Sequence, residues 1–137
     1  MRRILHLIAA AVALAGFGAG AAAQTPDEIK AEKEFYESIT AQVDRLTDML
    51  DLNDAQIFYV DSILVHDYKA MQAEVKELQS KKVSNTDLYY DIQYKWADKI
   101  YYAFEELLDE DQWAKYLKSG AEREKKSRDK RRAKSNK

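Results

Sequence analysis

The side chains best suited to acid–base or metal chemistry are one histidine and several groups of carboxylates. His66 is the only histidine beyond the first 23 residues, and further acids cluster at 105–106 and 109–111. A zinc site would need more imidazole or thiolate ligands, and a Ser-His-Asp arrangement would need a supporting motif that is missing. We therefore interpret His66 as part of a solvated helix face and the acids near 109 as complements of a helix dipole. We expect no enzyme, no catalytic residue, no metal site and no cofactor.

Composition excludes several large classes of enzyme. The chain of 137 residues has no cysteine, which removes disulfides, thiolate nucleophiles and cysteine-ligated zinc from consideration. Beyond the first 23 residues it keeps one glycine, Gly120, and one proline, Pro26. Glycine-rich phosphate loops and the many turns of an all-β fold cannot be built from so few such residues. A long-helix protein remains.

The N-terminal segment 1–23 has the pattern of a secretory signal peptide. Two arginines at 2–3 precede an apolar run over 4–17, and three alanines at 21–23 end the segment. We expect cleavage after residue 23, which leaves a mature chain that begins at Gln24. The predicted location is the periplasm, with secretion as an alternative. An uncleaved membrane anchor is the other interpretation of this segment.

Charge divides the mature chain into an acidic body and a basic tail. Residues 24–117 contain 10 Lys and Arg against 21 Asp and Glu, whereas residues 118–137 contain 10 against 3. The acidic body would repel phosphates, so we expect no nucleic-acid partner. We interpret the tail over 119–137 as a solvated helix or a disordered segment. Contact with an anionic membrane, or with an acidic protein surface such as a neighbouring copy, is the functional alternative.

Apolar residues recur at three- and four-residue steps and predict four helices. The helices cover about 25–51, 53–82 and 87–108, and the fourth begins at Asp109. The predicted core-facing residues are Tyr36, Ile39, Val43, Leu46 and Leu50; Ile57, Val60, Leu64, Tyr68, Met71, Val75 and Leu78; and Tyr89, Ile92, Trp96, Ile100, Ala103 and Leu107, with Leu88 and Phe104 at the edges. The fold class is all-α: a long antiparallel helical hairpin with flanking N- and C-terminal helices in one domain over 24–118.

A short motif occurs twice, 56 positions apart, at the starts of helices two and four. Each copy has a leucine, a capping residue and, three positions after the cap, a glutamine that can complete a capping box. The two copies are Leu52, Asn53 and Gln56, and Leu108, Asp109 and Gln112. Because helices two and three would fold back on each other, we expect the two copies to meet in space.

The paired motif resembles the repeated Leu-Thr-x-x-Gln motif of the Spy/CpxP family of small periplasmic helical proteins. Asn53 and Asp109 stand at the threonine positions, and the likeness covers about residues 25–117. The resemblance implies a curved antiparallel dimer, with ATP-independent chaperone activity, restraint of an envelope-stress sensor kinase or metal binding as family roles. The chain departs from the family's chaperone member, whose concave face is basic, because its own body is acidic.

Helix three carries more aromatic residues than one core-facing stripe can use. Tyr90, Tyr94 and Tyr101, which we call the tyrosine stripe, recur in helical register roughly opposite Trp96. On helix two, Phe58 and Val65 also lie off the core-facing stripe. The candidate interface comprises these two residues and the three residues of the tyrosine stripe. We expect this surface to hold either a second copy in a homodimer or a client.

The leading functional interpretation is a periplasmic, ATP-independent chaperone or envelope-stress protein. It would bind unfolded or partly folded exported proteins on an amphipathic helical surface. The alternatives are a signalling regulator that docks on the periplasmic domain of a sensor kinase and a plain scaffold protein of the envelope. Suppression of aggregation at sub-stoichiometric amounts would favour the first, and saturable binding to one partner would favour the second.

Overall fold

A computed structural model describes residues 23–136, so the predicted signal peptide lies outside the described residues except for Ala23. The described chain is helical and contains no strand, which confirms the all-α class. No helix in this part of the chain is long and apolar enough to cross a membrane. The described chain divides into two units, residues 23–32 and residues 33–136.

Five α-helices and one π-helical turn make up the described chain. Their bounds are α1 Pro26–Leu50, α2 Asp54–Ser80, α3 Thr86–Leu107, α4 Glu110–Tyr116, the π turn Leu117–Ala121, and α5 Glu122–Ser135. The first four agree with the predicted helices to within about two residues. The fifth lies in the segment that the sequence analysis treats as a separate basic tail.

The described part of the first unit is the beginning of α1, where a capping box forms. The Thr25 backbone N–H donates to Glu28 Oε2 at 3.0 Å, and the Glu28 N–H donates to Thr25 Oγ1 at 3.2 Å. These reciprocal bonds satisfy two of the backbone donors that a helix start leaves without partners. Pro26 follows as the first helical residue, where its fixed φ fits and its missing N–H costs nothing.

One apolar cluster forms the core of the second unit. It comprises Ile39, Val43, Leu46, Leu50, Leu52, Val60, Leu64, Ile100, Phe104 and Leu108. Most of these residues belong to the predicted stripes, because a 3.6-residue period puts them on one face of each helix. Phe104, which the sequence analysis places at an edge, is only 2 % exposed and lies in the middle of the core. The half-buried Tyr116 ring packs edge-on against it with centroids 5.3 Å apart.

Contacts between α2 and α3 extend along both helices. The Gln56 side chain reaches the Leu107 carbonyl near one end, and His66 meets Trp96 edge-on with ring centroids 6.4 Å apart. Further along, Lys95 Nζ pairs with Glu74 Oε2 at 2.6 Å. The hydrogen bond from Lys95 holds the pKa of Glu74 below its ordinary value.

Gly120 redirects the chain between α4 and α5. Its φ of 124° and ψ of −14° are non-helical and lie in a region that residues with a Cβ rarely adopt. A Cβ at this position would meet only Glu124 Oε1, at 3.9 Å, so the backbone angle and not crowding requires glycine. The chain therefore bends here and resumes as α5.

Candidate functional site

The two repeated motifs meet through a buried pair of glutamine side chains, which we call the glutamine pair. Gln56 Nε2 donates to Gln112 Oε1 at 2.7 Å, and Gln112 Nε2 donates to Gln56 Oε1 at 2.9 Å. Gln56 is 9 % exposed and Gln112 is 8 % exposed. Each amide therefore supplies one donor and one acceptor to the other in a site that little water reaches.

Each glutamine also closes a capping box at the start of its own helix. The Oε1 of Gln56 accepts from the Asn53 backbone N–H at 3.1 Å, and the Oε1 of Gln112 accepts from that of Asp109 at 3.0 Å. In return the Asn53 and Asp109 side chains accept from the glutamine N–H groups, each at 2.8 Å. The Nε2 of Gln112 further donates to the Leu50 carbonyl at 3.2 Å.

The neighbours of the glutamine pair are apolar. Leu52 and Leu108, the leucines of the two motifs, are buried in the core cluster. A buried pair of neutral amides holds no ionisable group, so it can orient helix ends but cannot transfer a proton or bind a metal by itself. The pair joins the start of α2 to the start of α4 and is a structural clamp.

Two members of the tyrosine stripe contact the basic side chains of α5. The rings of Tyr90 and Tyr94 lie 5.9 Å apart, and the Arg131 guanidinium carbon sits 4.2 Å from the centroid of Tyr90. Arg131 Nη1 also donates to the Tyr94 hydroxyl at 3.2 Å, and Arg132 lies 5.8 Å from the Tyr94 ring. The stripe thus has a partner within the chain, which the sequence analysis did not consider.

Asp98 is the charged centre of the contact between α3 and α5. Arg128 Nε donates to its Oδ1 at 2.9 Å, Arg132 Nη2 donates to its Oδ2 at 2.5 Å, and Lys125 Nζ lies 3.8 Å from Oδ1. Burial acts to raise the pKa of Asp98, but the hydrogen bonds from Arg132 and Arg128 outweigh it and hold the pKa below its ordinary value. The carboxylate is charged at neutral pH and fixes one end of each arginine.

The remaining candidate interface residues have different environments. Tyr101 packs edge-on against Trp113 of α4, with ring centroids 5.0 Å apart. Val65 is half-buried against the core cluster, so it contributes to the core and is not a free interface residue. The sequence prediction places Val65 outside the core-facing stripe of α2. The surface of α2 that packs on the core is wider than that stripe and includes Val65. Phe58 is 46 % exposed and lies edge-on against Tyr59, which is 53 % exposed.

Two open cavities lie beside α1. One, of about 440 Å³, is lined mainly by Phe35, Ile39, Gln42, Arg45 and Tyr68. The other, of about 280 Å³, lies where Tyr116, Glu124 and Arg128 face the core. Burial, followed by the nearby Glu124 charge, raises the pKa of Tyr116 to about 12, so its hydroxyl stays protonated.

His66 lies in an exposed position, and its Nδ1 is 2.7 Å from the Asp67 carboxylate. Among residues 23–136, no three His, Cys, Asp or Glu side chains lie close enough to hold a metal ion together. Asp61, one helical turn from Ile57, has its pKa raised by burial.

Comparison of this chain with protein-family models, curated proteins and solved structures finds no match. Arguments about function therefore depend on the residues described above.

The contact of α5 with α3 is not among the sequence predictions, because the tail was interpreted from its basic composition alone. Its signal is present in the spacing: Arg128 and Arg132 stand four residues apart, as do Tyr94 and Asp98 on α3.

Proposed function

We propose that the chain is a periplasmic, ATP-independent chaperone that binds unfolded or partly folded exported proteins on the exposed faces of its helices. In this proposal the segment 1–23 is a signal peptide, and the mature protein begins at Gln24. The chain acts as a binding protein and not as an enzyme. Two copies associate into a dimer through helix surfaces that are left after each core is complete.

The observation that carries the proposal is the set of large apolar side chains left exposed although the helices already share a core. Phe58 and Tyr59 on α2 are about half exposed, and so is Tyr102 on α3. Aromatic rings offer large contact area at low cost in side-chain entropy, which suits a surface that binds many sequences weakly. Single exposed apolar residues are common, but two adjacent rings in contact form a small patch.

We further propose that α2 and α3 form an antiparallel helical hairpin. The contacts that support it run in opposite order along the two helices: Gln56 at the start of α2 contacts Leu107 at the end of α3, and Glu74 in the second half of α2 contacts Lys95 near the middle of α3. A chaperone of this design presents long rigid helices on which an extended client can lie. The paired motif with its Spy/CpxP resemblance supports the same conclusion, because family members include chaperones of this kind.

The test is suppression of aggregation by the mature protein, residues 24–137. Light scattering of a reduced, unfolding client such as α-lactalbumin should fall when the protein is present below one copy per client. Phe58→Ser with Tyr59→Ser should weaken suppression several-fold, whereas Leu88→Ser should not. Leu88 is a matched control because it is 41 % exposed but lies at the start of α3 outside this patch.

Four results would count against parts of the proposal. If the mature protein leaves aggregation unchanged, the chaperone activity is refuted. If it binds one sensor-kinase periplasmic domain saturably and ignores unfolded clients, the signalling alternative replaces it. A monomeric mass in multi-angle light scattering at about 100 μM would refute the dimer. An intact mass that retains residues 1–23 after expression with export would refute the signal peptide.

A further inference from the structure

α5 is held on α3 by charge and ring contacts without any buried apolar side chain. None of its residues is buried, and its facing positions are basic. Of the nine basic residues in the tail over 119–137, four make contacts with α3: Lys125, Arg128, Arg131 and Arg132. A helix packed for stability alone would normally bury an apolar stripe. This one resembles a bound ligand more than a part of the core.

The surface under α5 has the chemistry of an arginine-binding site. Tyr90, Tyr94 and Asp98 are spaced four residues apart and therefore lie on one face of α3. Asp98 gives one oxygen to each of two guanidinium groups, and the Tyr90 ring lies under a third. Guanidinium groups stack on aromatic rings and donate in a planar fork, which ammonium groups cannot do.

We propose that this face of α3 is a docking site for arginine-rich segments of other polypeptides, and that α5 is its tethered competitor. The inference goes beyond the proposed chaperone function, which uses Phe58 and Tyr59 on α2 and does not depend on the tyrosine stripe. It names the class of partner, a basic segment with arginines three or four residues apart on a helix. It also names the regulation, since a partner must displace α5 to bind.

The structure makes displacement of α5 feasible. Arg132 is 36 % exposed in its pair with Asp98, whereas Arg128 is 11 % and Asp98 is 15 % exposed, so a partner that displaces α5 must bring its own arginines to replace these contacts. Gly120 separates α5 from α4 by a bend, so α5 can leave without disturbing the core cluster. A short tether gives an effective concentration on the order of 1 mM, so a site with an intrinsic dissociation constant of about 100 μM would be blocked roughly tenfold.

The experiment uses a fluorescein-labelled peptide with the sequence of residues 122–136 as the probe and fluorescence anisotropy as the readout. The full mature chain should bind it weakly. The release variant Arg128→Gln with Arg131→Gln and Arg132→Gln should bind it about tenfold more tightly, because its own tail no longer competes. A milder release variant, Arg128→Lys with Arg132→Lys, keeps the charge of the chain and should give a smaller increase.

Two matched controls separate this site from general attraction to the acidic body. In the release variant, Asp98→Asn should weaken peptide binding at least tenfold, whereas Asp91→Asn should change it less than twofold. Asp91 has the same charge two turns away on α3 but forms no ion pair with any residue in 23–136. A peptide with every arginine replaced by lysine keeps the charge and should bind at least threefold more weakly.

Equal peptide affinity for the mature chain and both release variants would overturn the proposal, because α5 would then not compete. Equal effects of Asp98→Asn and Asp91→Asn would also overturn it, since the attraction would be diffuse. If Asp98→Asn instead converts a dimer to a monomer, the occupant is α5 of a second copy, and the proposed competition by α5 of the same chain is wrong. Aggregation assays are independent of these outcomes, so the peptide can bind while the chaperone proposal fails, or the reverse.

Discussion

Breaking the glutamine pair should destabilise the fold much more than the loss of a surface helix cap. Gln112→Ala removes four hydrogen bonds: the two that join it to Gln56, the one from the Asp109 N–H and the one to the Leu50 carbonyl. A buried hydrogen bond contributes about 1 kcal/mol net, and a buried group left without a partner costs more. Water that enters the gap recovers part of this loss. We expect unfolding free energy to fall by about 2–4 kcal/mol.

A double-mutant cycle isolates the contact between the two side chains. Gln56→Ala should cost about the same as Gln112→Ala, because it loses the same two inter-glutamine bonds and its own capping bond. Each single variant loses both inter-glutamine bonds, so the sum of the two single effects includes these bonds twice. The double variant loses them only once. The double variant should therefore be about 2 kcal/mol less destabilised than the two single values added together.

Urea unfolding followed by circular dichroism at 222 nm measures these values. Gln93→Ala is the control, because Gln93 is an exposed glutamine on α3 and its loss should change stability by no more than about 0.5 kcal/mol. Additivity of the two single variants to within about 0.5 kcal/mol would refute the reasoning, since it would mean that Gln56 and Gln112 do not bond in solution.

Three further predictions concern single side chains. Gly120→Ala should lower the unfolding free energy by about 1–3 kcal/mol through its φ of 124°, measured by the same urea titration; an unchanged value would mean that the bend is absent. Asp61→Asn should raise the melting temperature at neutral pH, because a pKa raised by burial means that the ionised carboxylate opposes folding; this gain should vanish as pH falls below the unfolded value of 3.8. The pKa of Asp98 is lowered in the folded chain, so its ionised carboxylate stabilises the fold at pH values above 3.8. This stabilisation is lost as the pH falls through the lower pKa of the folded state. Near-ultraviolet circular dichroism of the tyrosines should report release of α5 in that acid range, and Asp98→Asn should show the released signal already at neutral pH.

The helices and most of the core could be predicted because local rules determine them. Ile39, Val43, Leu46 and Leu50 follow the helical period on α1, and all four are buried. The starts of α2 and α4 could be located because a capping box needs only a residue pair three positions apart. Such features depend on neighbours in sequence and are visible without knowledge of the fold.

The candidate site was harder to predict because its contacts are long-range. Tyr90 and Tyr94 stand out in sequence as a second stripe, but nothing in their spacing identifies α5 as the segment that covers them. Composition also misled, since a segment with ten basic residues among twenty is typical of a solvated tail. Asp98 stands four residues after Tyr94, but such spacing is common on helices and does not identify Arg128, 30 residues later, as its partner.

The position of α5 depends on features that the sequence analysis assigned to separate roles. Gln112 fixes the start of α4 against the core, and Trp113 and Tyr116 pack the following turn onto Tyr101 and Phe104. Gly120 then changes the chain direction, and α5 begins two residues later. The capping motif is thus more than a stabilising device at a helix end. Because it sets where α4 lies, it also determines where Arg128 and Arg132 can reach α3, and so links the buried clamp to the surface that we propose binds arginine-rich partners.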